Sequence, residues 1–68
     1  MTRYSLCIHF TDAFQEILLS DETEAKSTAS KLLFCLMKNC RGVEDITLWE
    51  QTLDEHGDKV LDETRLDF

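Results

Sequence analysis

An α+β fold, a single two-layer domain of order ββαββ with one helix packed on a four-stranded sheet, is what this sequence predicts, on three observations. Apolar residues alternate with polar ones near the start of the chain and again from Ile46 onward. Between those stretches lies a segment with helical spacing. Neither a proline nor a low-complexity linker divides the 68 residues, so residues 1–68 read as one domain. Domains this small bury only about 60% of their unfolded surface, which leaves room for one core.

Tyr4, Leu6, Ile8 and Phe10 alternate with Arg3, Ser5, Cys7 and His9, the period-2 pattern of a strand with one buried face. Ile17 and Leu19 continue the pattern. A loop of Asp12-Ala13-Phe14-Gln15 sets Phe10 opposite Ile17 and Ile8 opposite Leu19, apolar against apolar. A loop of Thr11 to Ala13 would instead bring Glu16 opposite Ile8 on the core face, and burial of a charge opposes that register.

Ser20-Asp21-Glu22-Thr23-Glu24 offers capping oxygens and first-turn acids that suit the positive end of a helix dipole. At 100° per residue, Ala25, Ala29, Leu32, Leu36 and Cys40 fall within about 80° of arc, and this is the predicted buried stripe. The two alanines permit close approach to a sheet. Lys38 and Arg41 suit the negative end, and Gly42 is the expected left-handed terminator. The helix is predicted over residues 21–40.

Ile46 and Leu48 open a third strand, and Val60 to Phe68 supplies a fourth. Gly57 in the intervening Asp54-Glu55-His56-Gly57-Asp58 can take the positive φ of a three-residue hairpin loop. That loop pairs Asp54 with Asp58 and gathers Ile46, Leu48, Val60 and Leu66 on one face. It also sets Asp45 against Asp67 and Glu50 against Asp62, although directly opposed like charges cost stability. Joining two hairpins through a helix calls for a right-handed crossover. A β-grasp-like order, 2-1-4-3, satisfies it with strands 1 and 4 central and parallel. In outline that order resembles the ubiquitin-like fold, without the di-glycine tail of a conjugated modifier.

Charge is unevenly distributed. Residues 1–42 carry five acids and five bases, whereas residues 43–68 carry nine acids against Lys59 and Arg65, which accounts for the whole net charge of −7. Such a field disfavours direct contact with nucleic acid or anionic lipid and favours basic protein surfaces. The same charge also serves solubility. The longest apolar run, Leu32 to Met37, is far short of the roughly 20 residues of a membrane span. The first residues show no export signal, and three cysteines do not make a paired disulfide framework, so a cytoplasmic protein with free thiols is expected.

Catalytic chemistry finds little purchase. Cys7 and His9 share the open face of the first strand, but the close ligand pairs of a zinc site are missing, and Cys35 and Cys40 are expected to point elsewhere. No third residue is placed to orient His9 as a base. Gly42 and Gly57 open no phosphate-cradling loop. No enzyme activity, metal or cofactor is predicted.

The aromatics point to binding instead. Phe34 lies about 200° from Leu36 on the helical wheel, on a basic face with Lys31, Lys38 and Arg41. Trp49 falls on the sheet face opposite Ile46 and Leu48, a suitable interface anchor, and a one-residue slip in register would bury it. The expected partner-binding residues are Glu44, Asp45, Trp49, Glu50, Asp54, Glu55, Asp58, Asp62, Glu63 and Phe34, acting on a basic partner such as a nucleic-acid-binding protein or complex. In size, acidity and α+β order the chain resembles phage-encoded inhibitors such as anti-CRISPR proteins. That resemblance of composition implies inhibition by nucleic-acid mimicry. A homodimer formed through an edge strand or the open sheet face is the alternative.

Overall fold

The computed structural model describes residues 1–39 and 41–68. Its elements run β1 (Thr2–Phe10), β2 (Phe14–Leu19), α1 (Glu22–Asn39), β3 (Val43–Leu53) and β4 (Val60–Leu66), the ββαββ order anticipated from the sequence. One four-stranded antiparallel sheet has the order β2-β1-β3-β4. The β-grasp-like order is thereby corrected: β3, and not β4, lies beside β1, and the two run antiparallel.

Burial explains the correction. Leu6 faces Leu48 and Ile8 faces Ile46 across the central pair, and all four are buried. Each such side chain contributes about 1.5–3 kcal/mol when fully withdrawn from water. In β4 the corresponding positions carry Asp62 and Thr64 before Leu66, so that strand can occupy only an edge. A central place under a helix would desolvate a carboxylate.

The helix begins with Asp21 as its cap. Its carboxylate accepts the Glu24 N–H at 2.8 Å, and its carbonyl accepts the Ala25 N–H at 2.9 Å. Ala25 and Ala29 are fully buried against the sheet, chiefly β3, because a methyl group lets the two backbones approach. Leu32, Leu33 and Leu36 pack on the same core with Phe10 and Val43. Near the other end the Asn39 side-chain amide donates to the Cys35 carbonyl at 3.0 Å, and Gly42 has φ of +91° as anticipated. Cys40, expected in the buried stripe, lies outside the described residues.

Both hairpin registers differ from expectation by an even number of positions. In the first, Leu6 faces Ile17 and Tyr4 faces Leu19, closed by a tight turn in which the Phe10 N–H bonds to the Ala13 carbonyl at 2.8 Å. In the second, Glu50 faces Thr64 and Thr52 faces Asp62, so the expected oppositions of Glu50 with Asp62 and of Asp45 with Asp67 do not form. Like-charge repulsion disfavours the expected register, and the observed shift is the one that sets Leu66 opposite Leu48, where a shift the other way would set Asp62 there. A bulge between Thr52 and Leu53 pairs Leu53 with Val60. By alternation it turns Val60 away from the helix-side core, where the sequence had suggested it would lie with Ile46, Leu48 and Leu66.

Candidate interaction surface

The sheet offers one face to α1 and the other to solvent. On the open face stand Phe14, Glu16 and Leu18 of β2, Arg3, Ser5, Cys7 and His9 of β1, Asp45, Thr47, Trp49 and Gln51 of β3, and Glu63 and Arg65 of β4. Trp49 is on this face, opposite Ser5 and Arg65, as the alternation indicated. The registers moved by even steps up to the bulge at Thr52/Leu53, so the side chains of this face kept their side, and Val60 beyond the bulge is the exception.

This face is closed by its own hydrogen bonds. Thr47 accepts the Trp49 indole N–H at 3.2 Å, and its Oγ1 lies 2.9 Å from His9 Nε2. Ser5 donates to Glu16 and lies 3.5 Å from the Cys7 Sγ. Arg3 Nε donates to Gln51 Oε1 at 2.7 Å, and Gln51 Nε2 donates to Glu63 Oε1 at 2.7 Å. Ser5, Thr47 and Gln51 are buried although no second layer covers them, and no buried side-chain nitrogen or oxygen among the described residues lacks a partner. A satisfied polar network of this kind rigidifies the surface. Cys7 and His9 take part in it. Among the described residues no three of His, Cys, Asp and Glu gather as a metal-binding group, and no pocket is formed.

The acids collect at one end. The longest dimension, 40 Å, matches the roughly 36 Å span of the eleven-residue β3, so strand ends are molecular ends. Tyr4 sits between Leu19 and Glu50, which brings the first turn of α1 alongside the acidic half of the second hairpin. Burial, followed by the charges of Glu50, Glu22 and Asp21, pushes the Tyr4 hydroxyl up from its ordinary value. Beyond them project Asp54, Glu55 and Asp58 of the hairpin loop, with Asp62 and Glu63 on β4. With Glu24, nine acids share this end with three bases, Arg3, Lys26 and Lys59.

These charges are not equivalent. Asp54 organises the loop: its Oδ1 accepts the N–H groups of Asp58 at 2.9 Å and His56 at 3.1 Å, while its own N–H bonds to the Lys59 carbonyl. Those backbone bonds, led by that from Asp58, hold its carboxyl below the usual value against a smaller opposing effect of burial. Glu55, Asp58, Asp62 and Glu63 are exposed, and Glu50 is half-buried. Glu44 and Asp45 lie at the opposite end of β3, where Arg65 approaches Asp45 at 4.0 Å. Phe34 is two-thirds exposed on the outer face of α1, with the Lys38 ammonium 4.7 Å from its ring centre.

The ten residues singled out from the sequence therefore occupy separate regions. The structure brings Glu50, Asp54, Glu55, Asp58, Asp62 and Glu63 together, and leaves Glu44 and Asp45, Trp49, and Phe34 elsewhere. It adds Asp21, Glu22 and Glu24, which sequence reasoning had assigned only to helix capping. No family model matches the chain, and no curated protein or solved structure matches it.

Proposed function

We propose that this protein is a non-enzymatic interaction module of the cytoplasm whose acidic end docks on the nucleic-acid-binding surface of a basic protein or complex, in the manner of a phage-type, anti-CRISPR-like inhibitor. The observation that carries the reading is the local excess of six negative charges where the first turn of α1 meets the second hairpin. The Asp54 loop and the Gln51–Glu63 bond fix part of this charge in place, which lowers the entropy cost of docking. Direct nucleic-acid binding runs against the sign of the field. No helix among the described residues is long and apolar enough to cross a membrane.

The test is binding to purified CRISPR effector complexes, read by interferometry over a salt series with double-stranded DNA as competitor. Binding should weaken steadily with salt and be displaced by DNA. The variant Glu55→Lys, Asp58→Lys, Asp62→Lys changes only exposed side chains and should lose binding by more than about a hundredfold with its circular dichroism unchanged. No binding, or binding indifferent to the three reversals, refutes the reading.

A further inference from the structure

We infer that β2 is the interface of a homodimer, in which two copies join edge to edge as antiparallel strands to form one eight-stranded sheet. The two margins of the sheet differ in kind. β4 carries Asp62, Glu63 and Arg65, the charges that guard an edge against pairing. β2, Phe14-Gln15-Glu16-Ile17-Leu18-Leu19, carries one charge, and the Glu16 carboxylate accepts a hydrogen bond from Ser5 of its own chain. Phe14 and Leu18 are 67% and 50% exposed on this margin. Six residues with no proline, no glycine and low charge pair readily with another strand.

The backbone is set for such pairing. The bond from the Phe10 N–H to the Ala13 carbonyl fixes the parity of the first hairpin, so residues 13, 15, 17 and 19 direct their N–H and C=O groups toward β1. Those of Phe14, Glu16 and Leu18 point outward. With a two-fold axis perpendicular to the sheet, a register centred on Glu16 would oppose two glutamates. One centred on Ile17 sets Ile17 against its counterpart, Gln15 against Leu19 and Leu18 against Glu16, with all faces matched.

The strand's own symmetry selects a second copy as the occupant: a two-fold axis at Ile17 sets the outward N–H and C=O of Glu16 opposite those of Leu18 on both sides of the axis. A chain of net charge −7 can meet itself only along its least charged margin. The antiparallel arrangement also places the acidic first turn of α1, just after Ser20, beside the β1–β2 turn of the other copy. That turn carries Asp12, and the Thr11 N–H bonds to the Gly42 carbonyl at 3.0 Å, which brings the last turn of α1, with its Lys38, to the same end of the molecule. The hairpin tips then point to opposite ends of the dimer, leaving two acidic docking ends per assembly.

Sedimentation velocity of the full chain under reducing conditions, from about 1 µM to about 1 mM, tests the inference. A dimer is expected, with the amide protons of Phe14, Glu16 and Leu18 becoming protected from exchange as concentration rises. Leu18→Pro removes an outward N–H while leaving the bonds to β1 intact, and should weaken the dimer by more than about tenfold. A chain that stays monomeric throughout, a dimer in which those three amides exchange freely, or one that the folded Leu18→Pro protein still forms, overturns it. Because none of these measurements involves a basic partner, the outcome is independent of the docking experiment above.

Discussion

The first hairpin, β1–β2, turns tightly and carries two acids, whereas the second, β3–β4, has a longer loop and a bulge and carries eight. Their inner strands are equivalent, packing Leu6 and Ile8 against Leu48 and Ile46 under one helix. The difference lies in the outer strands. Burial constrains the inner pair to apolar residues on one face, while the margins are free to take opposite characters, one nearly neutral and one charged. A small domain thus keeps one core and offers two kinds of surface.

The shared inner row is where substitution should cost most. Leu48→Ala and Leu6→Ala are each expected to destabilise by about 3 kcal/mol in urea unfolding, a large part of the stability of a 68-residue domain. Because the two side chains are direct neighbours, the double variant should cost less than the sum. Additive effects would mean that the hairpins do not share a core.

A smaller effect is expected where the helix joins the hairpins. Asp21→Ala removes the acceptor of the Glu24 N–H and should cost about 1 kcal/mol, with Asp21→Asn retaining most of it. An unchanged midpoint for the alanine variant would show that the first turn is held by packing alone.

The smallest effect distinguishes the two loops by pH. The folded Asp54 carboxyl is depressed, so its stabilisation is complete above the ordinary value of 3.8 and is lost as pH falls through the folded value. The backbone amide shifts of His56 and Asp58, whose N–H groups bond the Asp54 carboxylate, should therefore carry a titration from Asp54 below pH 3.8, whereas the β1–β2 turn is closed by the bond from the Phe10 N–H to the Ala13 carbonyl, which has no carboxylate to protonate. Asp54→Asn should abolish the titration. A loop that opens above that range would refute the assignment.

The element order, the start of the helix to within a residue, the left-handed Gly42 and the open-face position of Trp49 were all legible in the residues. Alternation and helical spacing report which side of an element is apolar, and that information survives a shift of register by two or four. The registers themselves were not legible. Turn length and repulsion among Glu50, Asp62 and their neighbours set them, and those act between strands. The acidic end was half legible: the hairpin acids stood out as a run, but Asp21, Glu22 and Glu24 are distant in the chain and join them only through the Tyr4 row.

By itself the sequence determined that this chain forms two hairpins and a helix around one apolar face, because side-chain periodicity is a local property. It also determined the amount of charge. Only the tertiary structure decided that β3 is central and β4 marginal, since that choice depends on whether Asp62 and Thr64 or Ile46 and Leu48 lie beneath the helix. The same choice decided where the charge goes, by carrying the first turn of the helix to the side of the second hairpin, and which edge was left uncharged.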